Sequence, residues 1–264
     1  MCRLPCRFEC EGSFLPIRCV KGECDVIGII GAMRIEVEAL KAKLTNASTT
    51  TISGVDYHQG QLNGVDVVLA VSGVGKVFAA IAAQTMVLHF HVSKIINSGV
   101  AGTLSSQLHI GDVAISNALV QHDMETSCVG DPVGLISGIN IVELPADESL
   151  YTAVADVAQS LGFNHQIGTV ATGDQFVGNR ERKDWITKTF NAIACEMEAG
   201  SIAQVCYVNQ IPFVTIRVIS DEASGDVHID YMEFVKLAAD RSMAITEALL
   251  PKIARDFRKN SRFF

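Results

Sequence analysis

Four short clusters in this chain combine carboxylates, a guanidinium and hydroxyls in patterns that suit acid–base chemistry. They are Gly31-Ala32-Met33-Arg34-Ile35-Glu36, Asn97-Ser98-Gly99-Val100-Ala101-Gly102, Glu196-Met197-Glu198-Ala199 and Arg217-Val218-Ile219-Ser220-Asp221. Each follows or ends an apolar run, and three of the four hold an acid. Converging acids serve a bond whose cleavage needs a protonated leaving group and an activated water. Singly, each has a plainer reading. Glu36 reads equally as an exposed helix acid, Glu196 and Glu198 as acids favoured by a helix N-terminus, and Asp221 as a cap or turn residue. Arg217 is harder to explain away, because a cation inside the apolar run 213–219 needs a partner once buried.

Other chemistries lose support on spacing. Ser72-Gly73-Val74-Gly75-Lys76 looks like half a phosphate loop, but Ala70 stands where GxxxxGK[ST] needs its first Gly, and Val77 replaces the Ser/Thr. Gly28 and Gly31 do not make GxGxxG, neither HExxH nor GxSxG occurs, and the 7 histidines show no metal-ligand spacing. No metal site is expected.

The elements that must position these clusters alternate. Apolar runs at 25–30, 65–72, 94–97, 112–116, 168–172, 192–195 and 213–219 read as strands. Helical spacing marks 33–44, 76–90, 146–161, 180–190, 199–209 and 231–250. Turn signals at Ser53-Gly54 and Asn63-Gly64 mark a hairpin region over 50–63. Strands apolar on every side, alternating with helices, imply a sheet covered on both faces. In such sheets ligands gather beyond the carboxyl ends of strands, which is where the four clusters fall.

Composition sets the outer bounds. The chain has 264 residues, 48% apolar and 19% charged, with net charge −8. It is long enough for one large α/β domain. Nucleic acid is an unexpected partner, because phosphate neutralisation needs a basic face. No apolar run reaches the roughly 18–20 residues of a membrane span, and a cytoplasmic protein is expected. Cys2, Cys6, Cys10, Cys19 and Cys24 crowd residues 1–24 without the CxxC pairs of zinc modules. That stretch also lacks the apolar centre of a secretion signal. It reads as a Cys-rich extension outside the catalytic fold, which would occupy 25–264.

Taken together and in order, the clusters resemble the nucleoside phosphorylase/nucleosidase superfamily, and within it the 5′-methylthioadenosine/S-adenosylhomocysteine nucleosidases. The resemblance runs from about residue 26 to about 250. It rests on Gly28-Ile29-Ile30-Gly31-Ala32-Met33 with Glu36, Ser72-Gly73-Val74-Gly75-Lys76, Ser98-Gly99-Val100-Ala101-Gly102, Thr172-Gly173-Asp174-Gln175-Phe176, Glu196-Met197-Glu198 and Arg217-Val218-Ile219-Ser220-Asp221. It implies a three-layer α/β/α sandwich with a mixed central sheet, acting as a homodimer without metal or organic cofactor. The implied reaction is hydrolysis of the N-glycosidic bond of a 5′-thio-substituted adenosine, and 5′-deoxyadenosine is a further candidate substrate.

The resemblance also implies roles. Asp221 would protonate N7 of adenine, oriented by Ser220. Glu36 would polarise the attacking water, and Arg217 would fix that water and balance the acid. Glu198 would accept from the ribose hydroxyls above Met197. Phe176 would stack on the base while the backbone of Val177 reads its polar edge, and Tyr231 would cover the 5′ substituent. Met33, Ser98 and Gly99 would complete the substrate contacts. Two positions depart from the pattern. Val100 replaces a serine found in some members, and the loop 121–135 lacks an aromatic that often enters the partner's pocket, so the breadth of 5′ specificity stays open.

A purine nucleoside phosphorylase and a non-catalytic nucleoside-binding protein of the same fold are the competing readings. Phosphate calls for arginines and helix N-terminal amides. This chain instead has Glu36 at the expected water position and no arginine pair beside 72–76 or 98–102. A protein that had lost catalysis would have been free to lose Glu36, Glu198 or Asp221.

Overall fold

The computed structural model describes residues 25–221 and 231–260, with side chains of the last stretch described over 232–254. The Cys-rich residues 1–24 lie outside the described residues. The strands are β1 (Ile27–Gly31), β2 (Thr45–Ile52), β3 (Val55–Leu62), β4 (Val65–Val71), β5 (Lys94–Thr103), β6 (Val113–Gln121), β7 (Leu144–Pro145), β8 (His165–Thr172), β9 (Ala192–Glu196) and β10 (Phe213–Asp221). The helices are α1 (Glu38–Lys41), α2 (Lys76–Leu88), α3 (Glu148–Ser160), α4 (Arg180–Phe190), α5 (Ala199–Asn209) and α6 (Tyr231–Asn260).

The strands form one mixed sheet in the order β10-β6-β8-β9-β5-β1-β4-β3-β2, with β7 beside β6. β1 is central and parallel to both β4 and β5. Successive β1 side chains point to opposite faces. Ile27 and Ile29 pack with Leu150 and Val154 of α3 and with Ala238 and Leu249 of α6. Ile30 packs on the other face with Ala82 and Met86 of α2 and Ile202 of α5. The result is the expected α/β/α sandwich, held by apolar cores on both faces. Each fully buried Ile or Leu contributes about 1.5–3 kcal/mol.

Three local details go beyond the periodicity. The hairpin begins earlier than expected, at Thr45, and its turn residues Ser53 and Gly54 take φ +53° and +77°. This is the left-handed pair that a two-residue β-turn between twisted strands requires. The helix expected over 33–44 is a 3-10 turn at Arg34–Glu36 followed by the four-residue α1. The break falls at Val37, whose φ of −127° is not helical, and just before it Glu36 turns its carboxylate back onto the N–H groups of Ala32 and Met33. The sheet also curls. β5 pairs with β10 along Ile95–Gly102 and meets β9 at Gly102 and Thr103, so β5, β10, β6, β8 and β9 close into a ring.

Candidate active site

The curl creates the site. β1 pairs with β5 only as far as Asn97, and β9 joins that edge only at Gly102. Between these contacts, among the described residues, no strand lies on that edge of β5. Its backbone must therefore bond to side chains.

Glu36 takes that place. Its Oε1 accepts the Val100 N–H at 3.1 Å, while Oε2 accepts those of Ala32 at 2.7 Å and Met33 at 2.9 Å. Burial raises its pKa, opposed by the Arg217 guanidinium and by the three N–H groups. Gly99 makes the approach of these two groups possible. A Cβ there would lie 2.6 Å from Glu36 Oε1 and 2.7 Å from Arg217 Nη1.

Arg217 is 2% exposed and has the partners its position demanded. Nη2 donates to Glu196 Oε2 at 2.5 Å and to Asn97 Oδ1 at 2.6 Å, with Glu198 Oε2 at 3.9 Å. Burial works against its charge, but Glu196, Glu198 and Glu36 outweigh that and raise its pKa. Glu198 accepts the Gly75 N–H through Oε1 at 2.8 Å. Burial, and then the charge of Glu196, push its pKa up to about 7.

Asp221 ends β10 opposite Gly102. The Ser220 hydroxyl donates to its Oδ2 at 3.2 Å. One cavity is lined by Met33, Glu36, Phe176, Val177, Met197, Glu198, Ser220 and Asp221, together with Val74, Val100, Gln175, Cys195 and Glu196. Its walls are thus apolar side chains around four carboxylates, and no Lys or Arg lines it among the described residues. Phe176, 57% exposed, stands at the mouth, and Val177 is buried beside it. Burial, followed by the charges of Asp221 and Glu196, pushes the Cys195 thiol far up, so it is an uncharged part of the wall.

The structure therefore brings eight of the expected residues to one cavity and treats four differently. Ser98 does not reach it. Its hydroxyl is turned to α6, 2.7 Å from Ser242 Oγ and 3.0 Å from Thr246 Oγ1, because β5 side chains alternate between faces. Gly99 contributes by lacking a side chain. Arg217 stands one layer behind the lining, bonded to Glu196 and close to Glu198. Tyr231 opens α6, but its side chain lies outside the described residues.

Two residues without an assigned role prove central. Glu196 accepts the N–H groups of Glu198 at 2.9 Å and Ala199 at 2.8 Å, takes the Thr172 hydroxyl, and neutralises Arg217. Its plain reading as a helix N-terminal acid was correct and incomplete. Asn97 ties Arg217 to β1 by donating to the Ile30 carbonyl at 3.0 Å. The sequence signals were the place of each at or near the end of an apolar run and, for Glu196, the motif Glu196-Met197-Glu198.

Comparison with known proteins agrees with this geometry. The model of the phosphorylase superfamily matches residues 26–251. The 5′-methylthioadenosine/S-adenosylhomocysteine nucleosidase of Staphylococcus haemolyticus is 39% identical over 226 residues, 85% of this chain and 99% of that protein. The chain belongs to the phosphorylase superfamily, in its 5′-methylthioadenosine/S-adenosylhomocysteine nucleosidase family. Members of this family are N-glycosidic hydrolases. Among solved structures, the Neisseria meningitidis nucleosidase in complex with methylthio-immucillin-A superposes with TM-score 0.82 at 33% identity, covering 85% of this chain and 98% of that one. Futalosine hydrolase of Helicobacter pylori gives TM-score 0.82 at 32% identity, covering 86% and 98%.

Proposed function

We propose that this protein hydrolyses the N-glycosidic bond of 5′-methylthioadenosine and S-adenosylhomocysteine, with 5′-deoxyadenosine as a further substrate. It releases adenine with 5-methylthioribose or S-ribosylhomocysteine, a step of methyl-cycle and methionine-salvage chemistry carried out in the cytoplasm. The observation that carries the reading is the pinned carboxylate of Glu36 in a cavity that has Asp221 at the end of β10 and, among the described residues, no cation on its wall. Such a wall repels phosphate and accepts water.

In this reading Phe176 stacks on the base and the Val177 backbone meets its polar edge. Asp221, steadied by Ser220, gives its proton to N7 as the C1′–N9 bond breaks, so the bonding pair leaves with a neutral purine. Glu198 accepts from the ribose hydroxyls, with Met197 beneath the sugar, and this favours the cationic sugar of the transition state. Glu36 takes a proton from the water whose oxygen bonds to C1′. Burial raises its pKa and so makes the carboxylate a stronger base. Arg217 balances the charge of the acid cluster without standing in the path of the water.

Adenine release from methylthioadenosine is measured in phosphate-free buffer and again with phosphate, with an aminofutalosine-type nucleoside as competitor. Release without phosphate, yielding free methylthioribose, supports hydrolysis; release only with phosphate, yielding the sugar 1-phosphate, overturns it. Glu36→Gln is expected to lower kcat by at least about 10²-fold while retaining nucleoside binding, because the amide cannot take the proton. Turnover at the wild-type rate would remove Glu36 from this role.

The same reading includes a homodimer. Its support is an apolar stripe on α2, where Val77, Phe78, Ile81 and Leu88 are exposed on one helical face. Light scattering is expected to give twice the 28.4 kDa of the chain. A monomer mass at micromolar concentration would reject the dimer.

A further inference from the structure

Lys76 closes a ring of three residues beside the cavity. Its Nζ donates to Asp123 Oδ1 at 2.7 Å, and the other Asp123 oxygen accepts the Asp174 N–H at 2.8 Å. Asp174 completes the ring by accepting the Lys76 N–H at 2.8 Å through Oδ1. The three residues come from the carboxyl-end regions of β4, β6 and β8, which share no direct strand pairing apart from β6 with β8. The Lys76 and Asp123 side chains are only 18% and 15% exposed. Burial of Asp123 is outweighed by Lys76 and the Asp174 N–H, which hold its carboxyl below the usual range.

What lies next to the ring gives it consequence. The residues following Asp174 are Gln175, Phe176 and Val177, which line the cavity. The residue preceding Lys76 is Gly75, whose N–H holds Glu198. The far end of the same loop is bolted to the same strand end. Arg182, whose N–H is taken by Asn179, donates to His122 Nδ1 at 2.9 Å and to the His122 carbonyl at 3.1 Å. The loop 174–179 is thus fixed at both ends on residues 122–123, and only the Lys76 end reaches the acid assigned to the sugar.

We infer that the Lys76–Asp123–Asp174 ring is a positioning device that sets the distance between the purine-reading loop and the ribose-reading acid Glu198. This rests on the nucleoside reading of the cavity. Lys76 and Asp123 touch no substrate in it. They act by holding Phe176 and Val177 in register with Glu198, so both ends of the nucleoside are gripped at once. The partial phosphate-loop motif at 72–76 acquires a use here that involves no phosphate.

The test compares wild type, Lys76→Met, Asp123→Asn, their double variant, Lys76→Arg, and Lys43→Met as a distant control that breaks only a surface pair with Glu247. Calorimetry measures the Kd of free adenine, and steady-state kinetics follow methylthioadenosine well below the melting temperature of each variant. Lys76→Met and Asp123→Asn should each weaken adenine binding and raise KM by about 10-fold, with a smaller fall in kcat. The double variant should be no worse than the poorer single one, because the two residues act as a unit. Lys76→Arg should recover most of the loss, and Lys43→Met should match wild type.

Wild-type adenine affinity in either folded single variant, or losses that add in the double variant, would overturn the inference. If Lys76→Met does not fold, Asp123→Asn and Lys76→Arg carry the same comparison. A wild-type protein that neither cleaves methylthioadenosine nor binds adenine refutes the functional reading and this inference with it. Cleavage and binding by wild type with unchanged variants refutes this inference alone.

Discussion

Asp221→Asn is expected to lower kcat on methylthioadenosine by at least about 10²-fold, and to leave binding of a non-hydrolysable adenine nucleoside within a few fold of wild type. The amide has nearly the same shape as the acid and can still accept the Ser220 hydroxyl, which donates to Oδ2 in the native site. It has no acidic proton to give, so the purine would have to depart as an anion. Calorimetric binding together with single-turnover kinetics separates the two effects. Loss of binding with no change in the chemical step would make Asp221 a recognition residue, and wild-type turnover would remove it from the mechanism.

Arg217→Met should have the largest effect on stability. Among the described residues the guanidinium is the only cation in direct contact with the buried acids, bonded to Glu196 at 2.5 Å with Glu198 at 3.9 Å. Met roughly replaces its length and removes its charge, which leaves Glu36, Glu196 and Glu198 facing one another. Removing one partner of a buried ion pair costs about 3–5 kcal/mol, against a total stability of about 5–15 kcal/mol.

The sign of the pH dependence follows from the acids. Glu36 and Glu198 already have raised pKa values in the folded protein, Glu198 up to about 7, so the folded state holds protons that the unfolded chain releases. Such groups favour the fold at low pH, and that contribution is lost as pH rises through the folded pKa. Without Arg217 the shifts grow. The melting temperature of the variant should therefore fall furthest below wild type near pH 8 and approach it near pH 5.5. An equal deficit at both values would show that the acids do not depend on Arg217.

The two variants probe one strand at two depths, the cavity wall and the layer behind it, and they separate chemistry from architecture. Asp221 lies at the end of β10 on the cavity wall, whereas Arg217, four residues earlier on the same strand, lies behind the lining. A strand that carries the acid and, one layer back, the charge balance for the opposing acids couples both to one rigid element. This coupling is one reason for catalytic groups to sit at strand ends rather than in free loops.

The sequence by itself determined the alternation of strands and helices, the carboxyl-end location of the four clusters, and the need of Arg217 for a partner. These are local properties. Apolar periodicity reports which faces are buried, and a cation inside an apolar strand has the same electrostatic requirement in any fold. The resemblance of six ordered motifs then supplied the family. The tertiary structure alone decided that the partner of Arg217 is Glu196, that Glu36 accepts the N–H of Val100, that Ser98 turns away to α6, and that Lys76 meets Asp123. Each of these joins residues between 21 and 144 positions apart in the chain. The contacts exist because the sheet curls until β9 reaches β5 and leaves one stretch of strand edge for side chains to fill. Nothing in a local window encodes that closure. It arises from summed strand twist and packing on both faces of the sheet.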